Sequence, residues 1–425
     1  MAPLLATAVR KAARRLVPLL LILYILAFLD RVNIGYAKQA FLRDTGLGEK
    51  AYAFGAGVFF VAYALLEIPS NLILCRVGAR AWIGTTMIAW GLISAATMFA
   101  WSGPAFCSLR FLLGAAEAGF FPGMIWYMGS WFPASARGRI FGMFYFGAPL
   151  AQIVGGPLSG LLLDMNGHGA LRGWQWMFLV EGALAVVVGA WACASMPGSM
   201  ADASWLSPGE RGALQAELDD EERTRDSGGP VGFRSSPLRG PVLRLGIVYA
   251  LIQMSFYGVA FYLPSQVSGL LGRDIGFIVG LVSAVPWICA LAAAYVVPIV
   301  AARTGHAGAT ACASLAVGAL GIAFSSSLHP GLGLAGLCLA AAGLIGAQPI
   351  FWTFPAGAFS GSAAAMGIAL INSLGAVGGF LAPNLKVLAE AASGSPLAGS
   401  LTLAGATVLA AILILRVAPL FPRNQ

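Results

Sequence analysis

The sequence predicts an all-α membrane protein in which twelve transmembrane helices form two related six-helix bundles. Of its 425 residues, 59% are hydrophobic and only 10% are charged, whereas soluble domains have about 25% charged residues. Twelve apolar runs have the length of roughly 20 residues that a helix needs to cross a bilayer. One long polar stretch separates the sixth run from the seventh, and similar short motifs recur on both sides of it.

Most of the predicted spans contain glycine or proline, which membrane helices tolerate better than soluble helices do. They cover residues 16–37, 52–74, 81–101, 105–128, 138–163, 174–195, 243–265, 276–300, 308–327, 331–353, 364–386 and 397–417. The first run is too long for the core of a signal peptide and lacks a small-residue cleavage site at its end. We therefore predict an N-terminal bundle at 16–195, a central loop at 196–242 and a C-terminal bundle at 243–417.

The central loop has two parts of different composition. Charged residues from Glu217 to Arg225 are followed by a run of glycine, proline and serine. The charged part predicts a short amphipathic helix, and the remainder is typical of a linker.

Lysine and arginine residues fall unequally on the two sides of the predicted membrane. Leaving the central loop aside, one side has eleven of them and the other has six, and five further arginines lie in the loop itself, with Arg244 just after it. Because cytoplasmic loops are enriched in Lys and Arg, both termini and the central loop are predicted to be cytoplasmic. An even number of spans agrees with this placement.

Two pairs of short motifs occupy matching positions in the two halves. The second and eighth spans end in CRVGAR (75–80) and AARTGHA (301–307), while the fifth and eleventh contain IVGGPLSG (153–160) and AVGGFLAP (376–383). Such pairs indicate a duplicated six-helix unit, with a binding site between the halves near the middle of the membrane.

Composition also excludes several classes of protein. The net charge of +8 does not indicate nucleic-acid binding, because the basic residues lie in short loops rather than on one face. The six cysteines lie in or beside apolar runs without CxxC spacing, so we expect neither a disulfide framework nor a metal site. The three histidines lie in predicted loops without metal-ligand spacing or a nucleophile nearby, so neither an enzyme nor a cofactor is expected.

Charged residues inside the predicted spans are the strongest functional signal, because a charge at the bilayer centre costs about 2.5–3.5 kcal/mol on insertion scales. Six lie away from the ends of their spans, all in the N-terminal half: Asp30, Arg31, Glu67, Arg110, Glu117 and Glu181. Glu67 lies near the cytoplasmic end of its span and Glu181 nearer the outer face. We interpret both as residues that hydrogen-bond or pack helices together.

The other four charges need partners from different helices. Asp30 and Arg31 are neighbours, and neighbours on a helix point about 100° apart. Arg110 and Glu117 lie two turns apart on one face, about 10 Å along the axis, which is too far for a direct ion pair. Gly114 lies on the same face and would allow a close approach.

Two interpretations of these four residues are open. A purely structural one pairs Asp30 with Arg110 and Arg31 with Glu117, but buried ion pairs stabilise poorly compared with hydrophobic residues. We favour a site that binds an anion and exchanges protons, because the planar guanidinium fork matches a carboxylate. The C-terminal half offers neutral polar and aromatic candidates instead: Gln253, Tyr257, Gln348, Trp352 and Asn372.

At these residues the chain resembles the anion:cation symporter family of the major facilitator superfamily. The resemblance rests on FLDRVNIGYA (28–37), EIPSNLIL (67–74), RFLLGAAEAGFFPG (110–123), SWFPASARGR (130–139), GGPLSG (155–160), FWTFPAGAFSG (351–361) and ALINSLGAVGGFLAP (369–383). It implies the major facilitator fold and proton-linked uptake of organic anions such as tartrate, sugar acids, phthalate, hydroxyphenylacetate or nicotinate.

The resemblance also assigns roles to particular positions. It implies that Asp30 and Glu117 are the proton-linked carboxylates. It implies that the remaining matched residues bind the substrate or line its cavity: Arg31, Arg110, Tyr63, Gln152, Trp352 and Asn372.

The chain departs from the pattern at three places. Cys75 and Ala302 stand where the superfamily usually has an acidic residue three before the glycine of its gating motif, so the acidic groups of the usual cytoplasmic salt-bridge latch are missing at both positions. Gln175 stands where many relatives have arginine.

We therefore expect a secondary transporter of the cell inner membrane that takes up a small organic carboxylate with protons, by alternating access. A monomer embedded in the lipid bilayer is expected, without nucleic acid or a cofactor. An exchanger or efflux carrier is the alternative, since GGPLSG also resembles a motif associated with antiporters. A membrane sensor is less favoured, because the central loop is too small for a signalling domain.

Overall fold

A computed structural model describes residues 3–226, 239–327, 329–358 and 361–420. Within these ranges the chain forms fifteen α-helices and a few short 3-10 turns, without β-strands. The helices are α1 Pro3–Thr45, α2 Glu49–Val77, α3 Ala79–Ala96, α4 Gly103–Glu117, α5 Phe120–Trp131, α6 Ala134–Tyr145, α7 Gly147–Asp164, α8 Gly173–Ser195, α9 Pro208–Asp226, α10 Arg239–Leu271, α11 Phe277–Thr304, α12 Ala307–Phe324, α13 Pro330–Ala358, α14 Gly361–Ser393 and α15 Pro396–Val417.

The predicted spans correspond to these helices one by one, except where a proline divides a span. In the described part of the chain, eleven helical stretches are long and apolar enough to cross a membrane. The fourth predicted span, 105–128, falls on α4 and α5, which are separated at residues 118–119. Pro122 has no N–H for the carbonyl of Ala118, so the helix cannot continue regularly through this point.

The fifth span is interrupted for the same reason. It is formed by α6 and α7 together, with a break at Phe146. Pro149 cannot donate a hydrogen bond to the carbonyl of Tyr145, and α6 ends at that residue.

The helix predicted in the central loop is confirmed as α9, which binds elements of the N-terminal half. Lys11, on the part of α1 that precedes the first predicted span, lies 2.8 Å from a carboxylate oxygen of Glu210. Lys11 and then the Ser207 amide lower the pKa of the Glu210 carboxyl. Glu221 accepts hydrogen bonds from the Ala134 amide at 2.6 Å and from Arg137 at 3.2 Å. The linker predicted after α9 and the end of the 351–361 motif lie outside the described residues.

The two predicted halves meet along three helix pairs: α1 with α10, α2 with α14, and α7 with α11. Close contacts between helices explain one glycine in each of the paired motifs. A Cβ atom at Gly156 of α7 would lie 2.6 Å from the carbonyl oxygen of Gly280 in α11. At the matching place in the second half, a Cβ atom at Gly379 of α14 would lie 2.6 Å from the ring of Phe60 in α2. The paired motifs therefore lie at corresponding contacts between the halves, α7 with α11 and α14 with α2.

Contacts between the halves are numerous at the end predicted to face outside, which we call the outer end. Ser268 near the end of α10 donates a hydrogen bond of 3.2 Å to Gln39 of α1. Asp164, the last residue of α7, accepts a hydrogen bond of 2.8 Å from the backbone amide of Phe277, the first residue of α11. The outer end is therefore closed in this structure.

Tyr262 of α10 adds an aromatic contact at the same end. The ammonium groups of Lys38 and Lys386 lie 4.6 Å and 4.0 Å from the centre of its ring. Lys38 also forms an ion pair of 2.9 Å with Glu49, and Lys386 donates to Glu390. One tyrosine from the C-terminal half thus contacts a lysine from each half.

Replacing Gly280 with alanine should weaken closure at the outer end. Its methyl group would lie 2.1 Å from the carbonyl oxygen of Gly156, so α7 and α11 must separate. We expect a loss of about 1–3 kcal/mol in the free energy of unfolding. A cysteine introduced by S268C should react faster with a maleimide when G280A is also present.

The matched control is Gly405→Ala, because a Cβ atom there has no neighbour within 4 Å. Equal labelling rates and equal unfolding temperatures in G280A and G405A would contradict this account of the glycine contact.

Candidate functional site

All six charged residues predicted inside the spans are withdrawn from water. Five of them are 1–2% exposed, namely Asp30, Glu67, Arg110, Glu117 and Glu181. The side chain of Arg31 retains 13% of its surface accessible. Because burial of an unpaired charge is strongly unfavourable, the contacts of each group indicate what it does.

Arg31 binds both halves of the protein. It donates to one carboxylate oxygen of Glu117 through Nη2 at 2.7 Å and Nε at 3.2 Å. Its Nη1 donates to the hydroxyl of Tyr257 in α10 at 3.2 Å. One of the two ion pairs considered from the sequence is therefore formed, and Tyr257 extends it into the C-terminal half.

The other ion pair considered, Asp30 with Arg110, is not formed among the described residues. Asp30 accepts hydrogen bonds instead from Ser94 at 2.7 Å and from the indole of Trp90 at 3.1 Å, both on α3. The physical reason is the rotation between helix neighbours: Arg31 faces α4, so Asp30, about 100° away, faces α3.

The guanidinium carbon of Arg110 lies 4.9 Å from the centre of the Phe59 ring. Two nitrogen atoms of Arg110, Nε and Nη2, are buried and have no hydrogen-bond partner among the described residues. The second carboxylate oxygen of Glu117, Oε1, is likewise buried and unpartnered there. This concentration of unsatisfied polar groups distinguishes Arg110 from the arginines at the ends of the helices.

Aromatic rings surround the two guanidinium groups. Tyr63 and Phe59 of α2 lie 5.1 Å and 5.2 Å from the guanidinium carbon of Arg31, and Phe28 lies 5.3 Å away. Cation–π contacts of this kind favour a buried cation. Phe59 contacts both arginines and was missed from the sequence, although its position four residues before Tyr63 places it on the same helix face.

The remaining predicted site residues are not all brought to the arginines. Asn372 of α14 donates a hydrogen bond of 2.8 Å to Glu67, and Ser373 donates one of 3.1 Å to the other oxygen of that carboxyl. Glu67 is thus a hydrogen-bonding residue between the halves, as interpreted from the sequence. Trp352 packs edge-on against Tyr249, with ring centres 4.9 Å apart.

Gln152 of α7 is 1% exposed, and its amide nitrogen has no hydrogen-bond partner among the described residues. Its predicted role in lining the cavity stays a prediction.

Near Cys75, one of the two positions without the usual gating acid, an arginine binds the end of another helix. Arg80, which follows Gly78, donates to the carbonyl oxygens of Cys193 at 2.8 Å and Ala194 at 3.4 Å, at the end of α8. A cation there is favourable, because the last carbonyls of a helix have no intrahelical partner.

The fold and the buried charges define a membrane transporter, and the chain belongs to the Major Facilitator Superfamily, whose model matches residues 20–383. It is 46% identical over 412 residues to the inner membrane transport protein RhmT of Escherichia coli, covering 97% of this chain and 95% of that protein. It is 38% identical over 422 residues to a "Putative tartrate transporter" of Agrobacterium vitis, covering 98% and 95%.

Among solved structures, the chain is similar to the xylose transporter XylE from E. coli in a partially occluded, inward-open conformation. The TM-score is 0.73 at 15% sequence identity, with 96% of this chain and 98% of that chain covered. The predicted fold class and the family resemblance are therefore confirmed. These relatives are transporters, in agreement with the prediction that the chain is not an enzyme.

Replacing Asn372 with alanine tests whether this residue mainly binds Glu67. Loss of the amide leaves a buried carboxyl oxygen without its donor, so we expect a loss of about 1–3 kcal/mol in the free energy of unfolding. The control is Asn384→Ala on the same helix, since Asn384 donates to the carbonyl of Phe380 one turn earlier and to no carboxyl among the described residues. Unchanged stability combined with lost carboxylate binding in Asn372→Ala would instead support a direct substrate contact.

Proposed function

We propose that the protein takes up a small organic carboxylate together with protons, by alternating access. In this proposal Arg110 and Arg31 bind the substrate carboxylate, while Asp30 and Glu117 bind the coupling protons. Tyr63, Gln152, Trp352 and Asn372 line or shape the cavity around them. The protein acts as a monomer in a cell inner membrane, with both termini in the cytoplasm.

The observation that carries the proposal is the unpaired edge of Arg110. Nε and Nη2 form one side of the guanidinium group, and both are buried without a partner in the described part of the chain. Two parallel N–H groups of this kind match the two oxygens of a carboxylate. A cationic substrate is electrostatically disfavoured, because the guanidinium carbons of Arg31 and Arg110 already lie 5.2 Å and 4.9 Å from the centre of the Phe59 ring.

The ion pair between Arg31 and Glu117 supports coupling of the anion to a proton. A neighbouring guanidinium favours the charged form of a carboxyl group, and removal from water disfavours it. A substrate anion that engages Arg31 would take the counter-charge away from Glu117, which would then bind a proton more readily. By linkage, protonation of Glu117 would free Arg31 for the anion, so each ligand favours the other.

The contacts between halves support the proposed domains, 16–195 and 243–417 with the loop between them. All six charges described above belong to the first of these, whereas Tyr257, Asn372 and Ser373 reach them from the second. Substrate bound at the arginines would therefore lie at the interface that alternating access must open and close.

The alternative, an exchanger or efflux carrier, draws on the GGPLSG motif. Close packing of Gly156 on Gly280 and of Gly160 on Gly276 explains two of the three glycines of this motif without assigning a direction of transport. Proteoliposomes separate the two functions, because an exchanger moves substrate against substrate but gains no accumulation from a pH gradient.

Replacing Arg110 with lysine should remove most of the affinity for carboxylates. An ammonium group keeps the charge but not the two parallel donors, so we expect binding to weaken about 10- to 100-fold, or about 1.4–3 kcal/mol. Tartrate and a panel of aliphatic and aromatic carboxylates can be screened by thermal shift, and then measured by calorimetry.

Arg80→Lys serves as the control, because Arg80 binds carbonyl oxygens at the end of α8 and should not contact substrate. Full affinity in a correctly folded Arg110→Ala variant would remove Arg110 from the binding site.

Replacing Glu117 with glutamine should separate binding from proton coupling. The amide imitates a permanently protonated carboxyl, so uptake driven by a pH gradient should be lost while substrate-for-substrate exchange continues. Asp30→Asn should lose gradient-driven uptake in the same way. The measurement is uptake of labelled tartrate, or of the best carboxylate in the screen, into proteoliposomes with and without a pH gradient.

If both variants accumulate substrate to the level of the unmodified protein, Asp30 and Glu117 do not couple protons to transport.

A further inference from the structure

A second group of buried carboxyls lies behind the arginines, away from the candidate substrate contacts. Glu181 of α8 and Asp30 of α1 are each 1% exposed. The amide nitrogen of Asn33 lies between them, 3.0 Å from an oxygen of Glu181 and 3.5 Å from an oxygen of Asp30. The other oxygen of Glu181 accepts a hydrogen bond of 2.7 Å from Ser159 of α7. Four helices, α1, α3, α7 and α8, thus meet at one polar cluster.

The titratable and charged groups around the cluster are few. Asp30 and Tyr36, both on α1, are the titratable groups that interact electrostatically with Glu181. From α4, the carboxyl of Glu117 and the guanidinium of Arg110 interact electrostatically with Asp30, with opposite signs. Among the described residues neither Asp30 nor Glu181 forms an ion pair, so hydrogen bonds alone satisfy these two carboxyls.

This arrangement does not suit two negative charges. Two carboxylates bridged by one amide and shielded from water repel each other, and like charges sharing a site retain a proton. Two neutral acids could accept the same hydrogen bonds, but the N–H groups of Trp90 and Asn33 bind an ionised carboxylate oxygen more strongly than a neutral one. One negative charge and one proton satisfy the cluster best.

We propose that Glu181 is a further proton-binding residue, which shares one proton with Asp30 while the outer end is closed. The proton resides as O–H on one of the two carboxyls, the other remains ionised, and Asn33 holds the pair in place. This inference rests on the proposed function in one respect, that Asp30 is a coupling residue.

The position of Glu181 relative to the outer end adds a route for the proton. Ser159 lies between Gly156 and Gly160 of α7, whose backbones approach Gly280 of α11 and Gly276, the residue before α11. Opening the outer end would separate α7 from α11 and bring water close to Ser159 and Glu181. The cluster would then exchange its proton with the outside before Asp30 passes it to the substrate site.

Infrared difference spectroscopy of the purified protein tests the shared proton without a substrate. At neutral pH the unmodified protein should show the C=O stretch of a neutral carboxylic acid. Glu181→Gln and Asp30→Asn should each lose that same band, because the remaining carboxyl ionises once its acidic neighbour is gone. Glu67→Gln, an equally conservative change at a buried carboxyl elsewhere, should retain it.

Ser159→Ala provides a second variant that keeps both carboxyls. It removes a hydrogen bond from Glu181, so the band should shift in frequency and keep its intensity. The proposal is overturned if Glu181→Gln keeps the band, or if Glu181→Gln and Asp30→Asn remove two separate bands.

Transport separates the failure of this inference from that of the proposed function. In Glu181→Gln, Asp30 should bind its proton less readily, so the external pH of half-maximal uptake should move to lower pH by about one unit. A purely structural role for Glu181 would lower the uptake rate at every pH and leave this midpoint unchanged. A shared infrared band without any proton-driven uptake would support the shared proton and contradict only the proposed function.

Discussion

The burial of two guanidinium groups among apolar helices is the constraint on which the rest of the site depends. Each group is unfavourable in hydrocarbon unless other helices supply charge, hydrogen bonds or aromatic faces. Arg31 satisfies this need with Glu117, Tyr257 and three rings, and thereby fixes α1 against α2, α4 and α10. Among the described residues, Arg110 has the ring of Phe59 beside it and an edge without a hydrogen-bond partner. In that part of the chain the two arginines differ because Arg31 forms an ion pair and Arg110 does not.

The lengths of the hydrophobic runs and the positions of the charges were enough to predict the twelve spans, the central loop helix and the charged residues that are buried inside the spans. They were not enough to predict which residues form hydrogen bonds or ion pairs with those charges. Whether Asp30 meets Arg110 depends on the rotation and tilt of α1 and α4, and a sequence fixes neither of these. The sequence also placed one continuous span at 105–128, although Pro122 was visible in it and marks the break between α4 and α5.

The two halves contribute different chemistry to the site. Buried charges come from the N-terminal half, while the C-terminal half contributes the hydroxyl of Tyr257 and the amide of Asn372. These cross-contacts are hydrogen bonds to charged groups, each worth about 1.5–3 kcal/mol, and not ion pairs. They can therefore be broken and replaced by water without leaving a charge unpaired in the second half.

The glycine contacts between α7 and α11 have a consequence for the speed of motion. Where two helices meet through backbone atoms at Gly156 and Gly280, no side chain interlocks with its neighbour. Glycine has no side-chain rotamers to reorganise, so the surfaces can part and rejoin without any repacking of their own atoms. At these two positions the rate at which α7 and α11 separate is therefore limited by movement of the helix backbones and not by changes of side-chain rotamer.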